Sequence, residues 1–290
     1  MEKAGTLKKR SQLQAIWFRF KKNKLAVFGL ILLIILVGLA VFAPLLVSYE
    51  EDVIAQDVYN KMQGPSAEHI FGTDHYGRDL FARVIYGGRM SLLVGILTVV
   101  ISLCLGAIIG SSAGYFGGVV DNVLMRIMDI FLSLPQTIMA VAIVAALGAG
   151  LQNLIIAMVV ASTPWFARVV RSTVLSIRGQ DFIEAARACG TPHKRIILKH
   201  VIPNSIGPII VQATLEIGMA IMSIAALSFI GLGIQAPTPE WGSMLSEAKS
   251  FMRNDPNLVI IPGIAIVLSV MALNLIGDGL RDALDPRMKN

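Results

Sequence analysis

The sequence predicts an all-α integral membrane bundle of six transmembrane helices, and three observations carry that prediction. The chain has 290 residues, 55% hydrophobic and only 15% charged, where an ordinary soluble domain carries about 25% charged residues. Its apolar residues are gathered into blocks near or above the roughly 18 residues that suggest a membrane-crossing helix. Lys and Arg are distributed so unevenly between the connecting segments that each segment acquires a side.

The basic stretch MEKAGTLKKR leads into a first span, Leu25–Val47. That run is longer than the core of a secretory signal, about 7–15 residues, and lacks a small-x-small cleavage site, so it is expected to be retained. The second span, Met90–Tyr115, carries Ser102, Gly106, Gly110 and Gly114 at four-residue spacing. Such a stripe of small residues lets a neighbouring helix approach closely. Ile130–Leu147, Leu154–Val174, Ile206–Leu232 and Leu258–Gly277 complete the set. In lipid every backbone group must be satisfied within its segment, so each span is helical. Pro135, Pro164 and Pro262 are expected to bend their helices. Asp129 is expected to pair with Arg126 at i,i+3. Residues 1–290 are expected to form a single all-α bundle with no soluble module.

Charge then orients the bundle. The tail 1–24 holds Lys3, Lys8, Lys9, Arg10, Arg19, Lys21, Lys22 and Lys24, and the far end holds Arg281, Arg287 and Lys289. With six spans both termini lie on one side, the cytoplasm, together with the basic segment 175–205. Segments 48–89 and 233–257 fall outside and are rich in acids, among them Glu50, Asp74, Asp79, Glu240 and Glu247. The net charge of +6 is therefore a topology signal, and nucleic acid is not an expected partner.

Within 175–205 lies FIEAARACGTPHKRIILKHVIPN, Phe182 to Asn204. Asp181 followed by Glu184 resembles a capping box that opens a helix. Phe182, Ala185, Ala186 and Cys189 fall on one apolar face, three of them small. Gly190, Thr191 and Pro192 form a turn into a second short helix, His193–Val201, expected to stop near Pro203. The small face suits insertion into a groove on another protein, whereas Lys194, Arg195 and Lys199 equally suit anionic lipid.

Chemistry of other kinds finds little support. No glycine precedes a lysine, so a Walker A phosphate loop is missing. No His lies in a candidate span, and the Gly-x-Gly-Asp pattern of an intramembrane aspartyl protease is broken ahead of Gly277-Asp278. His69 and His75 match no strong metal-ligand spacing, and Gly72, Asp74 and Gly77 read as turn residues. Cys104 and Cys189 are placed too differently to form a disulfide and read as small apolar fillers.

Glu184-Ala185-Ala186, Gly190 and Ile202-Pro203-Asn204 resemble the EAA loop of bacterial ABC importer permeases. His200 departs from the generic Ile-x-Leu-Pro ending and is similar to the ending in the peptide-importing branch. Phe71-Gly72-Thr73-Asp74-His75-Tyr76-Gly77-Arg78-Asp79, Leu227–Gly233, Ala236–Gly242 and Gly277–Pro286 resemble the C-type permease of dipeptide/oligopeptide/nickel systems. The resemblance implies a type I ABC importer permease fold and a non-catalytic subunit in the bacterial cytoplasmic membrane. It implies a homologous second permease, two ATPase subunits that bind ATP and Mg²⁺, and an extracytoplasmic binding protein or lipoprotein. By the same resemblance Asp181, Glu184, Ala185, Ala186, Arg187, Gly190 and Pro203 couple to the ATPase, and no cofactor is bound by this chain. The resemblance also implies that Asp74, Arg78, Asp79 and Trp241 lie in segments where the binding protein docks.

Glu216 sits near the middle of the fifth span, where an ionised carboxylate costs roughly 2.5–3.5 kcal/mol or more. It is expected to line the translocation path or to bond to the second permease. The cargo is expected to be a di- or oligopeptide, with nickel, a metal–chelator complex or glutathione as alternatives. An ion-coupled secondary carrier is the reading from a different class, although no internal repeat supports it.

Overall fold

The computed structural model describes residues 12–284; Lys3, Lys8, Lys9, Arg10, Asp285, Pro286, Arg287 and Lys289 lie outside the described residues. Helix α1, Gln12–Phe20, leads to α2, Lys24–Val41, whose first turn is capped by the Asn23 side chain accepting from the Leu25 and Ala26 N–H groups. A short α3, Ala43–Leu46, and a π-helical turn, Tyr49–Ile54, open the segment that follows. Helix α4 runs from Leu80 to Phe116, 37 residues. At 1.5 Å per residue that is about 55 Å, against a hydrocarbon core of about 30 Å. It therefore starts well before the expected Met90, and its outer turns stand in the external segment.

The third expected span is not one helix. Helix α5, Gly118–Leu132, and α6, Gln136–Leu147, meet at 81°. Pro135 has no N–H to donate and forces Leu134 out of helical geometry, so the chain breaks there rather than bending gently. Helix α7, Leu151–Arg178, is followed by the short α8, Asp181–Ala188, and α9, His193–Ile196. Then come α10, Ile202–Phe229, α11, Trp241–Ala248, and α12, Asn257–Leu284. Pro164 and Pro262 sit inside α7 and α12, which continue through them. Five of these helices are long and apolar enough to cross a membrane, six if α5 and α6 count as one broken span.

The small-residue stripe does what its spacing predicts. Ser102, Gly106, Gly110 and Gly114 all face α7, and Ser102 Oγ donates to the Val159 carbonyl at 3.3 Å. A Cβ on Gly110 would lie 2.3 Å from the Ala167 carbonyl oxygen and 2.9 Å from the Arg171 amide nitrogen. These are backbone atoms and cannot swing away. Gly110→Leu is therefore expected to push α4 from α7 and destabilise the bundle by about 1–3 kcal/mol or more. Thermal unfolding of the detergent-solubilised protein checks this, and an unchanged midpoint would mean that the crossing is loose.

The charge pairing at the same end differs from expectation. Asp129 bonds across to Arg168 Nη2 of α7 at 2.8 Å, not to Arg126, and Asp121 receives Arg171 through two bonds, one of 2.6 Å. Both pairs tie α5 to α7. Cys104 and Cys189 are free and exposed, so neither fills the interior.

Candidate functional site

Helix α8 leaves α7 through a sharp bend at Gly179–Gln180. Its N-cap is Gln180, whose side chain makes no cap bond, so the expected capping box does not form. Asp181 and Glu184 instead lie in the first turn, where carboxylates favour the positive end of the helix dipole. At the other end the Gly190 N–H donates to the Arg187 carbonyl at 2.9 Å and the Thr191 N–H to the Ala186 carbonyl at 3.1 Å. This pair of bonds is the Schellman motif, and it needs a left-handed residue. Gly190 supplies it with φ +71°, and nothing in the chain lies within 4 Å of where its Cβ would stand. The space beside it is open for a partner.

Ile183 holds the helix down. It is fully buried in a cluster with Tyr115, Val170, Val174, Ile196 and Val201, and Ala186 leans against that cluster. Phe182, Ala185, Cys189 and Glu184 face outward. Of the apolar face read from the sequence, three members are presented and only Ala186 turns inward. Tyr115, at the end of α4, clasps the loop from below. Its hydroxyl is 2.8 Å from His193 Nδ1, and the Arg187 guanidinium stacks 4.9 Å over its ring. Tyr115 and Ile183 drew no notice in the sequence; the amphipathic period of α8 could have exposed Ile183.

The second short helix does not stop at Pro203. A π-helical turn, Ile197–Val201, carries α9 straight into α10. Pro203 cannot donate to the carbonyl four residues back, and the wider turn removes the need. Asn204 Nδ2 donates to the His200 carbonyl at 2.6 Å and Ser205 Oγ to the Val201 carbonyl at 2.8 Å, which stitches the turn. The segment after Pro192 therefore enters a membrane helix without an intervening loop.

The opposite end carries a charge-clasped cap. Arg78 Nε donates to Asp74 at 2.6 Å and Arg78 Nη2 to Glu247 at 2.6 Å. Arg83, 1% exposed, reaches Glu247 at 3.3 Å and the Val53 carbonyl at 3.1 Å. Asp79 caps α4 by accepting from the Ala82 N–H at 2.7 Å and bonds His69 at 2.9 Å. Trp241 is buried, with its indole donating to the Val84 carbonyl at 2.9 Å. Asp74, Arg78 and Trp241 are thus buried as internal struts of the cap. Burial follows from charge neutralisation within the cap. Glu240, unassigned from sequence, is fully buried and caps α11 through the Gly242 and Ser243 N–H groups at 2.9 Å each.

Asp74, His75 and Glu247 lie within 4.8 Å of one another, yet both carboxylates already hold guanidinium groups. Burial keeps the His75 imidazole below its ordinary 6.5; Asp74 and Glu247 oppose that, and Arg78 and Arg83 reinforce it. Below 6.5 the unfolded loop takes a proton that the folded loop refuses. Cap stability is therefore complete above 6.5 and falls as pH drops from there towards the folded value. His75→Phe, stacked on Phe251 like the imidazole it replaces, is expected to flatten this dependence. Proteolysis rates of the external segment between about pH 5 and 8 check it; an equally steep profile in the variant would assign the slope elsewhere.

Glu216 is half-buried in α10, and its carboxylate hydrogen-bonds Gln136. Gln136 also donates to Ser162 Oγ of α7 at 2.8 Å. The break at Pro135 places Gln136 at the first position of α6, so one polar bridge joins α6, α7 and α10.

A bundle of membrane-crossing helices with one anchored loop helix facing outward at one end has the architecture of an ABC importer permease. Two solved structures share the fold: the MetNI methionine ABC transporter in inward-facing conformations, with TM-score 0.58 and 20% identity over 70% of this chain and 96% of that one, and an amino acid ABC transporter with histidines, with TM-score 0.52 and 19% identity over 69% and 94%. The family model for the binding-protein-dependent transport system inner membrane component matches residues 106–290, and the chain belongs to that family. A second model, the N-terminal TM domain of oligopeptide transport permease C, matches residues 11–65. The dipeptide transport system permease protein DppC of Alkalihalophilus pseudofirmus is 51% identical over 94% of this chain and 89% of its own length. The di/tripeptide permease protein DppC of Pseudomonas aeruginosa is 44% identical over 97% and 94%, and the glutathione permease protein GsiD of Escherichia coli is 43% identical over 97% and 92%.

Proposed function

We propose that this chain is one of two membrane subunits of an ATP-driven importer and forms half of the path for di- or oligopeptides delivered by an extracytoplasmic binding protein or lipoprotein. The observation that carries this reading is the outward face of α8, small and apolar, held by Ile183 and Tyr115 and continuous with α10. Two ATPase subunits bind ATP and Mg²⁺ and hydrolyse the nucleotide; a second permease completes the path. The bundle lies in the bacterial cytoplasmic membrane with α8 and both termini inside. ATP binding draws the ATPases together, and the docked α8 biases the spans towards the outward-open state.

Reconstitution in proteoliposomes tests this. Dipeptide uptake is expected only with the second permease, both ATPases, the binding protein and MgATP together. Uptake by this chain alone under a proton gradient would make it an ion-coupled carrier. Glutathione is the second cargo to try, because GsiD is nearly as similar as the di/tripeptide relative. Glu216 lines the path in this reading, and Glu216→Gln is expected to lower uptake of peptides with a free amino group relative to N-acetylated ones. Unchanged selectivity would leave Glu216 with a helix-joining role only.

A further inference from the structure

Two cavities meet at Arg89, on the end of the bundle opposite α8. One, of about 330 Å³, is lined by Tyr49, Tyr86, Met90, Thr238 and Pro239. The other, of about 280 Å³, runs between α2 and α4 past Val37, Ala40, Val41, Leu92 and Ile96. Arg89 and Leu93 line both, so the two adjoin at these side chains as the arms of a groove. No acidic residue lines either part, and exposed Arg89 forms no ion pair among the described residues. Its guanidinium lies 5.7 Å from the Tyr86 ring, which pairs with Tyr49 at 5.1 Å. The neighbouring arginines, Arg78 and Arg83, are both neutralised within the cap.

We propose that this groove holds one phospholipid, its phosphate on Arg89 and an acyl chain between α2 and α4. Depth supports this occupant. The apolar run of α4 begins at Met90 and α2 ends at Val41, so Arg89 stands at the membrane interface, where headgroup phosphates and Tyr side chains gather. Ile96 lies about 10 Å deeper along α4, and the groove follows it into the hydrocarbon. Helix α2 is the least buried of the spans, so this wall of the groove faces lipid. A free peptide fits less well, since no carboxylate lines the groove to pair with its ammonium group. A phosphate on a guanidinium makes charge-assisted, often bidentate bonds.

Native mass spectrometry of the full-length chain in mild detergent, titrated with dioleoyl phosphatidylglycerol, tests the assignment. One binding step is expected to weaken about five-fold in Arg89→Gln, the factor that one basic residue near a lipid surface is worth. Arg89→Lys keeps most of it, and Ile96→Trp, which fills the apolar arm, weakens it as well. The lipid-free melting temperature of both Arg89 variants stays at the wild-type value. Equal binding by Arg89→Gln would overturn the proposal, as would diacylglycerol, which lacks the phosphate, competing as well as the phospholipid. A photo-reactive residue at position 93 that captured a polypeptide rather than lipid in membranes would assign the groove to a protein interface and overturn it too.

Discussion

Replacing Glu184 by lysine is expected to abolish ATP-driven uptake while the chain still inserts and folds. Glu184 lies in the first turn of α8, exposed and beside the presented face of Phe182 and Ala185. Within the chain it makes no salt bridge among the described residues, and the clasp of Ile183 and Tyr115 is on the other face. Reversing its charge places a cation at the positive end of the helix, a local cost of about 0.3–1 kcal/mol. The larger effect is at the interface: a charge mismatched across a desolvated contact costs about 2–5 kcal/mol, a loss of about 30-fold or more in association. Gly190→Trp is expected to do the same by another route. Its φ of +71° is costly for any residue with a Cβ, and the indole would fill the open space that the partner enters. Lys194→Gln, on the exposed face of the adjoining turn, serves as the control with near-normal uptake. Transport assays beside a membrane-insertion assay read all three; wild-type uptake in both Glu184→Lys and Gly190→Trp would remove the coupling role from α8.

Asp74→Ala carries the second large effect, and it falls on stability rather than coupling. Asp74 accepts from Arg78 Nε and from the Tyr76 and Arg78 backbone N–H groups at 2.8 and 3.0 Å, while Arg83 approaches it at 3.5 Å. Removing one member of a buried, hydrogen-bonded charge set leaves its partners uncompensated and costs about 3–5 kcal/mol. Three segments meet at this point: the π-helical turn through Val53, the start of α4 through Arg83, and α11 through Glu247. The cap is therefore expected to open as a unit, with faster proteolysis between Tyr49 and Asp79 and a lower thermal midpoint. Asp74→Asn, which keeps the shape and the backbone acceptor, is expected to recover part of the loss. Equal proteolysis in wild type and Asp74→Ala would mean that the cap is held by its apolar contacts instead.

Much of this fold was legible because membrane helices depend on local rules. The block lengths located the spans, and the four-residue stripe in α4 announced a close helix crossing that α7 supplies. Pro135 and Pro203 show where local rules end. Both follow apolar stretches, yet one breaks its helix and the other sits inside a continuous one. The difference lies in a π-helical turn and in the Asn204 and Ser205 side chains, which bond back to the His200 and Val201 carbonyls. The inward face of α8 was only partly legible. Periodicity marks Phe182, Ala185, Ala186 and Cys189 as one stripe, but Ile183 is held as the anchor in a cluster with Tyr115, which lies far away in sequence at the end of α4. In the cap, Asp74 and Arg78 stand four residues apart, but Glu247, which completes the clasp, enters from α11. Charges that a solvent-facing loop would expose are buried once their partners arrive from a distant segment.

The coupling role of α8 is tested most directly by contact. A photo-reactive residue at position 185, on the presented face of α8, should cross-link an ATPase subunit when the whole transporter is present in native membranes. A second probe at position 198, exposed on the adjoining π-helical turn, reports how far that contact extends. Capture of the ATPase at 185, strengthened when a non-hydrolysable nucleotide holds the ATPases closed, is the predicted result. Capture of lipid alone at 185, with the ATPase present and active, would contradict it.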